Sequence, residues 1–496
     1  MIRYKSSRQL SLDGFSLPFG GKLNPENRWV KWSEVIPWDE LAIAYYRTMN
    51  AKQGRPGKDA RLVIAALIIK HKLTLSDEET VLQIQEGPYL QYFAGFSAYK
   101  DEQPFAPSLF VEIRKRMGQE VFRSFEQIIL EKIGERKVKP EEAPEHKGKM
   151  LVDATVCDQA IRYPTDINLL NEAREISEGL IDDLYNLSDL SKKPRTYRQK
   201  ARRDYLKIVK NKRPGIKMRR RCIREQLQYL RRNLGHISAL LDCIGCSPFP
   251  LKYKKQRQYW IIQHLYNQQS GMHQDKRKRC DDRIVSISQP YVRPIVRGKA
   301  KKNTEFGAKI SVSMKDGLAF VDNIGWDAFN EGKDLQLQVE RYKQRHGYYP
   351  EVVLADQLYG SRENRKYLKK RGIRFGGKSL GRPRKVTQEN AEKIKKSRDQ
   401  LKRDNRERIP IEGKFGQGKN GYRLNYVRAK CQRTSEAWIN SIFLVMNLMV
   451  LFKEVMKALF SYLYFLTIQC LTVFKEKIQT SSTLVVFKVA GQGITF

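Results

Sequence analysis

Two aspartates and one glutamate stand out by their surroundings. Asp153 lies within the apolar run MLVDATV, Asp356 closes the apolar run of EVVLADQLYG, and Glu412 sits in the basic, glycine-rich stretch RIPIEGKFGQGK. Carboxylates carried to one place by separate elements can hold two hard divalent cations, because Mg²⁺ prefers oxygen ligands and its charge offsets the mutual repulsion of the acids. Asp at the end of a strand is also an ordinary turn residue, so neither aspartate identifies a site alone. Asp158 and Asp166 compete for the first position, but Asp166 follows the turn at Pro164 and only Asp153 lies inside the apolar strand. Around Glu412, Arg408 precedes and Lys414 and Lys419 follow, which places cations on both sides of the acid, as a site for a DNA backbone requires.

The charge balance of the chain points to the same substrate. Lys and Arg number 94 against 54 acids, for a formal net charge of +40. A field of this sign attracts polyanions, so nucleic acid is the expected partner, ahead of an anionic membrane surface. At 496 residues, 41% of them apolar, the chain is long enough for roughly two to four domains and a sizeable core. Seven cysteines, odd in number and sparse, do not form a disulfide framework, and MIRYKSSRQLSLDGF has no apolar signal-peptide core. A reducing cytoplasm is expected. Cys243 and Cys246 form one CxxC, with His264, His273 and Cys280 downstream, but no second pair follows at zinc-ribbon spacing, so no structural zinc is expected. Residues 437–452 and 458–474 are charge-free apolar runs, each shorter than the roughly 20 residues that cross a bilayer. Buried helices, and no membrane, are the expectation.

The elements that must position these residues follow from the pattern. Residues 1–57 read as a basic and aromatic arm, and 58–135 as a helical domain in which ARLVIAALIIKHKL and DEETVLQIQ are joined by a short turn. Such a pair suits a helix-turn-helix, which makes the domain a candidate for DNA binding, although most such pairs are packed helices. Thr74 or Ser76 can cap the second helix, whose first turn is acidic. A charged linker is expected over 136–148. After the strand MLVDATV a helical insertion is expected over about 167–280, and within it residues 191–220 hold 14 Lys or Arg against one acid. Ile223, Leu227, Leu230, Leu234, Ile237 and Leu241 form an apolar stripe, the seam of a helix that packs on its own domain or on a second protomer. Strands are expected in RIVSISQPYVRPIV and AKISVSMKDGLAFVDNI, with a hairpin turn at Lys315-Asp316-Gly317. A helix over 335–346, the strand VVLAD, a helix over 361–371, a short strand at Ile373 and Phe375 and a further helix complete an α/β sheet of mixed direction.

At these residues the chain resembles bacterial insertion-sequence transposases of the DDE class. Their signature around the glutamate is Tyr, two residues, Arg, three residues, Glu, six residues, Lys. Here Arg408, Glu412 and Lys419 fall on it, with Asn405 at the tyrosine position. DATVCDQAIRYPTDINLLNEARE, DRIVSISQPYVRPIVRGKA, ADQLYGSRENRKY, LGRPRK, IEGKFGQGKNGY and WINSIFLVMNL also look like the family. Residues 59 to about 118 are similar to a helical N-terminal domain of one subgroup. The tail over 453–496 matches nothing in the family.

The resemblance implies a ribonuclease H-like, retroviral integrase-like catalytic domain over 149–452. It implies metal-dependent phosphoryl transfer in two stages: hydrolysis that releases a 3′-OH at each element end, then attack of that hydroxyl on target DNA. Two Mg²⁺ or Mn²⁺ ions are expected, with Asp153 bridging them and Asp356 and Glu412 each completing one. Arg408 and Lys419, with Lys414 beside them, are expected to hold the DNA strand. Double-stranded DNA, at element ends and target, and a homodimer or larger assembly are the implied partners, in a nucleoid-associated cytoplasmic setting. Gly413, Gly416, Gly418 and Gly421 make poor helix, at about 1 kcal/mol each relative to Ala, so a short helix opened by Pro410 is expected around Glu412. Two rivals are an inactive DNA-binding relative, which the presence of all three carboxylates opposes, and a nuclease that never joins strands.

Overall fold

A computed structural model describes residues 14–17, 21–49, 56–134, 145–245, 248–296, 304–382, 386–458 and 461. The chain opens with helices α1 (Arg28–Val35), α2 (Trp38–Tyr46), α3 (Ala60–Leu73), α4 (Asp77–Glu86), α5 (Pro88–Phe93), α6 (Leu109–Arg116) and α7 (Gln119–Ile133). The arm expected over 1–57 is therefore corrected: α1 and α2 lie within it, and Trp29, Trp38 and Leu41 join the same core as α3. That core is built around α3, which is apolar on most faces and buried at every residue from Ala60 to His71. Asp59 starts α3 by accepting from the amides of Arg61 and Leu62, and Thr74 ends it in the left-handed conformation. Ser76 caps α4 by accepting from the amide of Glu79. α3 is enclosed, and Asp77, Glu78 and Glu79 form the acidic first turn expected of α4.

The remainder runs β1 (Lys149–Asp158), α8 (Asp166–Tyr185), α9 (Arg198–Val209), α10 (Ile216–Ile244), α11 (Tyr253–Gln274), β2 (Pro294–Val296), β3 (Thr304–Lys315), β4 (Leu318–Gly325), α12 (Leu335–His346), β5 (Val352–Leu354), α13 (Arg362–Lys370), β6 (Arg374–Phe375) and α14 (Ala391–Gly421). A last helix, α15, spans Gln432–Ala458. In the mixed sheet β1 is flanked by β3, antiparallel, and by β5, parallel, while β6 extends β5 in parallel and β4 pairs antiparallel with β3. Asp316 and Gly317 both take positive φ, the two-residue hairpin turn that the sequence predicts. RIVSISQPYVRPIV yields only β2, and this is a further correction: Pro290 and Pro294 lack the amide that a ladder needs. The end of the expected linker is already structured, since the Lys147 amide donates to the Tyr349 carbonyl at 2.9 Å. Residues 135–144, Cys246, Pro383 to Lys385 of LGRPRK, and nearly all of the second apolar run lie outside the described residues.

Each face of the sheet has its own covering. Met150, Val152 and Val353 pack against Leu335, Val339 and Tyr342 of α12. Leu151, Cys157, Ile310, Val312 and Leu354 belong to the large core that also holds Ile411 and Phe415 of α14, the apolar side of α15, and α3. The junction of N-terminal helices and sheet is therefore apolar, but it also carries charge. Lys70 and Arg114, both buried, meet Asp77 at 2.9 and 2.7 Å and lie over the ring of Trp438 in α15 at 4.7 and 5.2 Å.

A second charged contact joins α7 to α12. Arg345 meets Glu126 at 3.3 Å and Asp322 at 2.7 Å. Burial, helped by the Asp322 charge and opposed by Arg345, pushes the Glu126 carboxyl up to about 7 from 4.5. A carboxyl raised on folding binds its proton more tightly in the folded state, so its stabilisation is complete below pH 4.5 and is lost as pH rises through about 7. Glu126→Gln is expected to remove that part of the decline. Melting temperatures across the window check it, and a variant whose curve stays parallel to the wild type refutes it.

Helices α8 to α11 form the expected insertion between β1 and the rest of the sheet, with cores of their own. The apolar stripe is settled by these cores. Leu227 and Leu230 pack with Leu169, Leu170 and Ile262, and Ile237 and Leu241 with Leu180, Ile181 and Leu184. The reading of the stripe as a seam between protomers is overturned, because a heptad-like pattern serves an internal helix pair equally well.

Candidate active site

The two aspartates follow a short stretch of parallel pairing between β1 and β5. Lys149, Met150 and Leu151 of β1 face Val352, Val353 and Leu354 of β5. Two residues beyond the last pair stand Asp153, still within β1, and Asp356, in the segment that follows β5. Asp153 is partly buried within β1 and accepts from the Ala154 amide at 2.8 Å. Asp356 is exposed where β5 ends, and its side chain accepts from the Gln357 amide at 2.6 Å, starting the short turn Gln357–Tyr359. The competitors are occupied elsewhere: Asp158 accepts from the Phe306 amide at 3.2 Å, and Asp166 is paired with Arg283 at 2.5 Å.

Glu412 arrives on α14, which lies across β1 and β5. The expectation of a short helix opened by Pro410 is corrected: α14 is 31 residues long, with Pro410 inside it. Packing overrides propensity here. Ile411, Phe415 and Gly418 are buried, and a Cβ on Gly418 would come within 3.1 Å of Leu424, so the glycine permits close approach.

Arg408 ties the helix to the strand. Its guanidinium meets Glu412 at 2.8 Å, one helical turn away, and reaches Asp153 at 4.0 Å. Burial pushes the Asp153 carboxyl up to about 6; the Ala154 amide and Arg408 oppose the shift, and the charges of Glu331 and Glu412 add to it.

The flanking cations divide by helix face. Arg408 and Lys419 share the face of Glu412, and Lys419 is half-buried beside β1, where its charge opposes the upward push of burial on the Cys157 thiol. Lys414 points the other way, and its assignment to DNA is corrected. It is buried and donates to the Gly317 carbonyl at 2.9 Å, fastening α14 to the β3–β4 turn, and burial lowers its ammonium to about 8. Asn405 is exposed and faces away from the core.

The donor set, three carboxylates, is of the kind that hard divalent cations take. Among the described residues, however, no three His, Cys, Asp or Glu side chains are gathered closely enough to hold a metal ion. Asp153 and Asp356 each lie two residues past the last β1–β5 pair, and Arg408 stands between Asp153 and Glu412. Sequence reasoning missed Glu331, whose charge acts on Asp153, and Tyr359, buried three residues after Asp356.

Residues 353–449 match the family model described as Transposase DDE domain, and residues 18–116 match that described as Transposase domain (DUF772). The chain is also similar to an uncharacterized protein, ORF8 in the nfe locus of Rhizobium meliloti, with 33% identity over 157 residues, 31% of this chain and 72% of that protein. No solved structure matches the chain.

Proposed function

The chain belongs to the insertion-sequence DDE transposases, and from that premise we propose that it cleaves DNA at the ends of its element and joins the freed 3′ ends to target DNA. Asp153, Asp356 and Glu412 are the catalytic carboxylates in this reading, holding two Mg²⁺ or Mn²⁺ ions. The observation that supports it is that Asp153 lies in β1 and Asp356 two residues beyond the end of the neighbouring parallel β5, with Glu412 linked to Asp153 through Arg408. The strand order β4-β3-β1-β5-β6, with β3 alone running against β1, supports a ribonuclease H-like, retroviral integrase-like core.

Divalent cations, were they held by Asp153, Asp356 and Glu412, would supply Lewis-acid activation of the attacking oxygen and charge stabilisation of the leaving oxygen. The residues of the chain do the positioning. Arg408 and Lys419, on the same face of α14 as Glu412, hold phosphate oxygens of the scissile strand. The strand-transfer assay tests the reading: a duplex with a pre-cut 3′-OH element end should be joined to plasmid target in Mg²⁺ or Mn²⁺. Nicking without joined product identifies a nuclease instead.

Residues 191–220 supply a second, non-specific hold on DNA. Their 14 cations lie on α9, the start of α10 and the turns around them, and most are exposed. Neutralising five or six is expected to weaken binding to all sequences alike and to flatten the salt dependence, by about 0.9 of a unit of slope for each phosphate no longer neutralised. An unchanged slope in a binding titration refutes this role. The reading includes two or more protomers on DNA, joined by a surface other than the α10 stripe, in a cytoplasmic, nucleoid-associated setting. The helix α15 is long and apolar enough to cross a membrane, but 67% of its most apolar window is buried in the protein.

A further inference from the structure

Tyr197 stands just before α9 in the left-handed conformation, at φ 56°. A tyrosine gains nothing from that backbone, where asparagine or glycine fits at less cost. Its ring, 40% exposed, is occupied instead. The guanidinium of Arg195 lies 4.9 Å from the ring centroid, and that of Arg232, from α10, lies 4.7 Å from it. Two arginines from separate elements therefore meet on one aromatic ring.

Neither arginine is matched by an acid. Lys193 and Arg198, close by in the chain, both pair with Asp182 of α8, Lys193 at 2.8 Å. Arg195 and Arg232 are exposed and form no ion pair among the described residues. Two like charges held against one ring repel each other, and an anion supplied from outside relieves that repulsion.

The surroundings suit the same ligand. Arg195 and Tyr197 line an open hollow of about 680 Å³ with Lys193, Arg198, Lys200 and Arg203, and no acid is among its lining residues. The segment is fixed from beneath. Arg198 donates to the Glu178 carbonyl at 3.1 Å and to the hydroxyl of the buried Thr196 at 3.2 Å, and the Ala201 amide donates to the Tyr197 carbonyl at 3.0 Å. Arg232 is steadied as well, since its guanidinium also lies 5.9 Å from the ring of Tyr229. A guanidinium laid on a ring keeps its in-plane N–H donors for other partners, and those donors match phosphate oxygens two at a time.

We propose that Arg195 and Arg232, held in place by Tyr197, form a clamp for the phosphodiester backbone of DNA at one fixed point of the basic surface. This deepens, and rests on, the reading in which residues 191–220 hold DNA; Arg232 lies outside that run. A clamp differs from diffuse charge in that a neutral side chain contributes to its affinity. The ring does so by ordering two long side chains before DNA arrives, which lowers the entropy lost on binding.

The test is titration of the full-length protein with a DNA duplex of arbitrary sequence over a series of salt concentrations. Tyr197→Asn leaves every charge in place and suits the left-handed backbone, so it is expected to fold as the wild type does. It should nevertheless bind about 3- to 10-fold more weakly. Tyr197→Phe, which keeps the ring, should restore most of that affinity. Arg195→Gln with Arg232→Gln should cost about 10- to 100-fold, and adding Tyr197→Asn to that pair should cost nothing more. Lys212→Gln with Arg213→Gln, two exposed cations of the same run, control for the loss of two charges and should cost less. Wild-type affinity in Tyr197→Asn, a Tyr197→Phe variant as weak as Tyr197→Asn, or equal losses in the two double variants overturns the clamp. If the salt slope is still unchanged when Lys210 and Lys217 are neutralised together with both pairs, the reading of 191–220 as a hold on DNA falls instead.

Discussion

Cleavage of an element-end duplex is expected to fall by orders of magnitude when Asp153, Asp356 or Glu412 is replaced by Ala, while affinity for DNA persists. The three residues reach the site by different routes, a strand interior, a strand end and a helix face, so a loss common to all three is hard to attribute to one local distortion. Removing a ligand leaves a cation under-coordinated and misplaced, and chemistry that depends on in-line geometry tolerates little displacement. Asp356 and Glu412 are exposed, so their truncation should leave stability nearly unchanged and the loss should appear in the chemical step. Nicking rates and gel-shift affinities measured on the same preparations decide it. A variant that cleaves near the wild-type rate removes that residue from the site.

The largest expected effect on stability lies far from the carboxylates. Asp77→Ala should destabilise the protein by about 3–5 kcal/mol, the range found when one partner of a buried ion pair is removed. Lys70 and Arg114 have side chains only 1% and 5% exposed, and Asp77 is the acid that meets both. Burial already lowers the Lys70 ammonium to about 8, so without Asp77 the lysine can shed its proton, but the guanidinium of Arg114 cannot. The stranded charge would sit against Trp438, which joins the N-terminal helices to α15. Denaturant midpoints should show the loss, and Asp77→Asn should share it, since charge rather than volume is missing. A change within about 0.5 kcal/mol, as at ordinary surface positions, would refute the argument.

Much of the site could be read from the sequence, and particular residues show why the rest could not. Asp153 and Asp356 were legible because an acid within or just after an apolar run is conspicuous, and the pairing of Leu151 with Leu354 sets the segments before them side by side. The helix around Glu412 was misjudged because its glycines were weighed by propensity alone, whereas Ile411, Phe415 and Gly418 are held by tertiary packing. Once that helix is granted, its 3.6-residue period places Arg408, Glu412 and Lys419 on one face and Lys414 on the opposite one. Glu331 left no signal, since its turn is fixed by Asn364 and the Leu358 backbone, contacts that no local pattern announces. Periodicity identified the stripe on α10 but could not choose between an internal and an external partner.

The apolar run that became α15 contains Asn447, 2% exposed, and the place of its amide has a consequence for an outer strand of the sheet. The side chain donates to the Ala319 carbonyl at 2.8 Å and accepts from the Ala319 amide at 2.9 Å, and Ala319 lies on β4. Among the described residues β4 pairs only with β3, so its outward backbone groups are the sort of template to which another strand adds. Asn447 gives Ala319 the donor and acceptor that an added strand would offer. At Ala319 a side chain takes the place of a neighbouring strand's backbone. A helix that hydropathy alone would assign to lipid here satisfies backbone groups of an outer strand.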